Sequence, residues 1–217
     1  MRAPSPDPGA TWAMVHEARA ALATDLAGLS AQQWGHRTLC SAWDVRHVTA
    51  HLTAAASTGR WAWLRSIAAA RFRPDVHNER RLREHLGGSP AETLERFRQV
   101  VDATVAPTGD LGAWLGEVVV HSEDIRHPLG LPDRCDPAAA AAVAAFLASR
   151  DFAVPSRSRV KGLSLAGTDS DFHRGEGLRI EGPTLALVMV MAGRRSHLDR
   201  LEGPGVAPLA SRLTSMR

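Results

Sequence analysis

Apolar residues recur at helical spacing through most of the first 150 positions, and the period shortens to two only near residue 160. Behind a loose, proline-rich leader (residues 1–9), the run from Trp12 to about Gly28 predicts a first helix whose inward face carries Leu22, Leu26 and Leu29. Ser30 or Ser41 is placed to cap the next helix, and Asp44 three residues after Ser41 gives a loose capping arrangement. A long second helix is expected from about Ala42 to Ala70, carrying His47, His51, Trp61 and Trp63. An arginine-rich connection (71–88) leads to Ser89-Pro90, an N-cap followed by proline in the first helical position, and a third helix to about Thr104. Pro107 to Asp110 reads as a turn. A fourth helix starts near Leu111 and is expected to stop before Pro128 and Gly130, and Asp136-Pro137 opens an alanine-rich fifth helix to about Arg150.

The alternation then takes over. Val160 to Ala166 and Gly177 to Gly182 read as two strands joined by a polar loop, Thr168 to Glu176. Pro183 starts a last long helix to about Leu201, broken by Gly203-Pro204-Gly205. The expected architecture is mainly α: a helical bundle over residues 10–152, followed by a small α/β domain over 153–217.

Two helical stripes break the apolar pattern. Glu117, His121 and Asp124 share one face, spaced four and then three apart, and Asp44, His47 and His51 repeat that spacing in mirror order. Both stripes lie in core-seeking sequence, where ionisable groups are costly unless they pair or bind a metal. Glu117 and His121, at i and i+4, can chelate one ion. A third ligand from the facing helix would leave a position open, as in catalytic sites; His51 is the natural choice and His47 its rival. Such a His₂Glu set suits Zn²⁺ or a similar divalent ion. The competing account is purely structural, with His47 satisfied by Asp44, and Asp124 bonded to His121 or to an arginine such as Arg126. Arg194, whose guanidinium fork matches a carboxylate, and Asp124 complete the candidate catalytic residues.

Composition narrows the classes of function. The formal charge of +3 rests on basic residues that are all arginine except Lys161, and they are interleaved with acids. No run of like charge is long enough to track phosphates, so a nucleic-acid partner is not expected. The apolar run Leu185 to Ala192 is too short to span a bilayer, which leaves a cytoplasmic protein with no membrane partner as the expectation. Cys40 and Cys135 form no C-x-x-C pair, so neither a disulfide framework nor a cysteine zinc site is expected; Cys40 reads as a structural thiol. The tryptophans read as core or pocket wall, without chemistry.

The segment Thr38 to Leu52, with its Ser41-Ala42-Trp43-Asp44 and Ala50-His51-Leu52 elements, resembles the hallmark segment of DinB-like metalloenzymes, and more narrowly that of the mycothiol-dependent maleylpyruvate isomerase family. The later Glu117-x-x-x-His121 pair, Asp124-Ile125-Arg126, Leu129-Gly130, Gly177 to Pro183, Ala192-Gly193-Arg194 and Leu201 to Val206 match it in order and spacing. Gly116 ahead of Glu117 and His127 after Arg126 depart from it. The resemblance implies a DinB-like four-helix bundle with a small C-terminal α/β domain, a divalent metal (zinc) on His51, Glu117 and His121, and mycothiol as thiol cofactor. It further implies an isomerase or S-transferase in which the metal turns a bound thiol into thiolate, the form that attacks a small electrophilic substrate, in a monomer or homodimer. Two alternatives stay open: a hydrolase using metal-bound water, and a non-enzymatic helical binding module.

Overall fold

Helix α1 (Pro8–Ala27) begins earlier than the Trp12 start expected from periodicity, because Asp7 accepts the Gly9 amide at 3.2 Å and Pro8 occupies the first turn. The structure, a computed structural model, describes residues 7–40, 42–59, 81–106 and 108–215. Residues 1–6 of the expected leader, Ser41, Trp61, Trp63, Pro107, and the expected continuation of the second helix and its arginine-rich connection through residue 80 lie outside the described residues. The chain divides into two compact units, Met1–Arg134 and Cys135–Arg217.

In the first unit, Ser30 and Gln33 form a reciprocal capping box on the short helix α2 (Ala31–Trp34). Helix α3 (Val45–Ser57) starts after Asp44, whose carboxylate accepts the His47 amide at 2.9 Å. The cap is therefore Asp44, and the helix begins at Val45 instead of Ala42. Ser89 caps α4 (Pro90–Arg98) through the Glu92 amide, as the sequence predicts, but the helix ends at Arg98, short of Thr104. Residues 81–85 are also helical. Helix α5 (Leu111–Leu129) runs through Pro128 and closes on Gly130 in the left-handed conformation (φ 62°). Four helices close a ring: α1 packs on α5, α5 on α3, α3 on α4, and α4 back on α1. Leu22, Leu26, Val48, Phe97, Leu115 and Ile125 fill its centre. Buried Arg19 ties the ring together by donating to the carbonyls of Val100, Val101 and Ala103 beyond the end of α4.

The second unit opens with α6 (Pro137–Ser149), capped by Asp136 as predicted, and the single turn α7 (Ser156–Arg159). Strand β1 (Leu163–Gly167) lies between β2 (His173–Arg174) and β3 (Leu178–Gly182), antiparallel to β2 and parallel to β3. The polar loop expected between two strands thus contains a third, at the sheet edge. Helix α8 (Thr184–Met191) is buried along its whole length and packs against α6 and the sheet. It ends well before Leu201 because Gly193 takes a positive φ of 97°; a 3₁₀ turn (Arg195–Arg200) comes next, then α9 (Val206–Ser215), which the sequence pattern did not reveal. Among the described residues no helix is long and apolar enough to cross a membrane.

Candidate metal centre

The first unit brings His51 from α3 together with Glu117 and His121 from α5. His51 Nε2 lies 2.5 Å from Glu117 Oε1, and His121 Nε2 lies 3.9 Å from the same oxygen. One ligand-capable atom from each of the three falls within 4.8 Å of the others. The two imidazoles meet edge to face, with centroids 5.0 Å apart, so their nitrogens converge on the carboxylate from different directions. Helical geometry supplies this arrangement: Glu117 and His121 stack one turn apart on α5, and α3 packs alongside it.

Asp124 does not join the three. Fully buried, it takes His121 Nδ1 at 2.9 Å, which leaves Nε2 as the nitrogen facing Glu117. Fixing a ligand's tautomer through its far nitrogen is the usual duty of a carboxylate behind a metal-binding histidine. His47 is spent elsewhere: its Nδ1 bonds the Asp44 cap at 2.6 Å, and its side chain is 38% exposed. The mirrored stripe of α3 therefore contributes one residue to the cluster and uses the other two to start the helix. Arg126 pairs with Asp25 at 2.7 Å, both side chains buried, and so braces α5 against α1. Arg194 belongs to the second unit, where its guanidinium donates to the Ala192 carbonyl at 2.8 Å.

Two neighbours carry no chemical role on sequence grounds alone. Trp43 packs its ring on His51, with centroids 4.8 Å apart, and reaches His121 at 6.3 Å. Cys40 falls in a second group with His121 and Asp124. Both sit on the connection between α2 and α3, which is pinned internally by Thr38: its hydroxyl donates to the Trp43 carbonyl at 2.9 Å and receives the Cys40 amide at 3.2 Å. The one sequence signal for Trp43 is its place just ahead of the Asp44 cap, which projects it back over the first turns of α3.

The donor set fits a divalent ion. Tetrahedral ligands about 2.0–2.1 Å from zinc stand about 3.3 Å apart, and the 2.5 and 3.9 Å separations bracket that value. Glu117 remains 30% exposed between two histidines exposed by 11% and 13%, so the cluster has one face open to an incoming molecule.

Residues 15–112 match the family model described as the mycothiol maleylpyruvate isomerase N-terminal domain; the match takes in His51 and ends before Glu117. Among solved structures, a crystal structure of the mycothiol-dependent maleylpyruvate isomerase is similar to the chain with a TM-score of 0.62 and 16% identity, covering 91% of this chain and 93% of that one. A histidine-to-alanine mutant of that isomerase gives a TM-score of 0.63 at the same identity and coverage. No curated protein matches the sequence. The structural likeness extends over both units and shows a shared fold. Over residues 15–112 the chain is thus similar to the N-terminal domain of the mycothiol maleylpyruvate isomerase family.

Proposed function

We propose that the chain is a divalent-metal, mycothiol-dependent enzyme, an isomerase or thiol S-transferase, with His51, Glu117 and His121 holding the metal. The observation that supports this reading is the convergence of two imidazole nitrogens on one carboxylate oxygen, with Asp124 fixing His121 from behind. When bound, the metal lowers the pKa of a coordinated thiol so that the nucleophilic thiolate exists near neutral pH.

The protein's own groups prepare for that chemistry. With its proton on Nε2, His51 donates to Glu117, and holding a metal through that nitrogen would require the proton to move to Nδ1. Asp124 accepts the His121 Nδ1 proton and keeps the Nε2 lone pair directed at Glu117. Trp43 covers one side of both histidines and sheds water from them.

The test is an assay of the purified protein, stripped of metal and reloaded with Zn²⁺ or Mn²⁺, on maleylpyruvate and on small conjugated electrophiles, with and without mycothiol. Turnover that needs both metal and thiol is expected. A hydrolysed product formed without thiol would replace this reading with hydrolysis, and unchanged metal content in both His51→Ala and Glu117→Ala would discard the site.

A further inference from the structure

The second unit contains a cavity of about 390 Å³, formed where the end of α6, the α7 turn and the start of β1 meet the tip of β2. Its lining combines two chemistries. Val160, Leu163 and Leu165 supply an apolar floor and are themselves 7%, 2% and 2% exposed. Arg157, Lys161 and Arg174 supply three cations, against Asp151 as the lone acid in the lining. The Asp151 carboxylate is already engaged, accepting the Ser158 amide at 3.0 Å and its hydroxyl at 2.5 Å.

The Lys161 and Arg174 side chains form no ion pair with any described residue. The pocket therefore concentrates an excess of positive charge in a protein whose whole formal charge is +3. The chain otherwise uses arginine throughout, and its single lysine stands here. Backbone geometry holds the rim in place. Lys161 precedes Gly162, at φ 73°, and Arg174 precedes Gly175, at φ 86°, where a Cβ would run into the Leu163 carbonyl. The Lys161 carbonyl is also tethered by Arg212 at 2.8 Å.

We propose that this pocket binds a small organic carboxylate, its charge met by Lys161, Arg174 and Arg157 and its apolar body seated on Val160, Leu163 and Leu165. An inorganic anion would use the cations and leave the floor idle, so the proposal requires an apolar carboxylate to bind more tightly than phosphate. The site lies wholly in the second unit and does not depend on the metal assignment.

The single lysine makes the test direct. Reductive methylation of the full chain with ¹³C-formaldehyde labels Lys161 and the N-terminal amine and preserves both charges. Titration with benzoate should shift the Lys161 resonance saturably, and inorganic phosphate at matched ionic strength should bind more weakly. Arg174→Gln, at an exposed position, should weaken benzoate binding by about tenfold, the effect of losing one charge-assisted hydrogen bond, with an unchanged near-UV circular dichroism spectrum. A shift that never saturates, phosphate binding as tightly as benzoate, or undiminished benzoate binding in the folded Arg174→Gln variant would overturn the proposal.

Discussion

Leu39 donates its backbone amide to the carbonyl of Asp124 at 3.1 Å, and Pro128 is the reason that carbonyl is available. In an uninterrupted helix the residue four positions on would claim it, but proline has no amide proton. The same residue whose carboxylate steadies His121 thus anchors, through its backbone, the connection that carries Cys40 and Trp43. Replacing Pro128 with Ala returns a competing donor to α5. Leu39 amide exchange should accelerate by about fivefold, corresponding to one hydrogen bond of about 1 kcal/mol. Hydrogen-exchange mass spectrometry over residues 36–44 reads the effect, and unaltered protection there would refute the coupling.

That relationship also marks where sequence reasoning stopped. Caps were legible because they are local: Ser89-Pro90 and Asp136-Pro137 each start a helix where predicted. The pair Glu117 and His121 was legible because one helix fixes its spacing. The end of α5 was misread because proline normally terminates a helix, and the rescuing donor, Leu39, lies far away in sequence. His47 looked like a rival ligand for the same reason that it does not join the cluster: a capping aspartate and a histidine three residues on satisfy each other, as the structural account from sequence has it, and their spacing mimics a chelating stripe. Trp43 reads from sequence only as core or pocket wall, because ring packing across a cap leaves no periodic signal of its place against His51. In the second unit, β2 was lost in a polar loop because a two-residue edge strand leaves no periodic signal, and the helical pattern of α9 was not followed past Gly203-Pro204-Gly205.

Asp124→Asn separates holding a ligand from being one. The amide keeps the volume of a fully buried side chain and leaves the backbone bond to Leu39, but it removes the charge behind His121. Metal affinity should fall about 10- to 100-fold while the bound ion retains the same ligands. Competition against a chromogenic chelator measures the fall. Affinity equal to that of the wild type would mean that Asp124 only packs, and stoichiometry lost as completely as in His51→Ala would promote it to a ligand.

Arg19 should be among the most sensitive positions of the bundle. Its guanidinium donates to Ala103 at 2.8 Å, to Val100 at 3.2 Å and to Val101 at 3.4 Å, and burial pushes its pKa down to about 10. Arg19→Ala strands those carbonyls and opens space between α1 and the end of α4, a loss of about 2–4 kcal/mol. Urea unfolding at pH 7 tests this, with a drop under 1 kcal/mol as the contrary result. The depressed pKa fixes a sign as well. Above about pH 10 the unfolded chain binds more protons at this position than the folded one, so the contribution of Arg19 to stability rises with pH there.

His85, in the helical stretch 81–85, carries the acid-side prediction. Burial, and then the nearby Arg81, hold its pKa below the ordinary value of 6.5. The folded state resists protonation that the unfolded chain accepts, so the stabilising term is full above pH 6.5 and declines as acidification carries His85 through its lowered folded pKa. His85→Gln removes the titration and retains a polar side chain. The stability difference between wild type and variant should be constant from pH 7 to 8 and should shift against the wild type between about pH 6.5 and 5. Urea midpoints of the two proteins measured in parallel decide it: curves that stay parallel down to pH 5 would show that His85 titrates alike in the folded and unfolded chains.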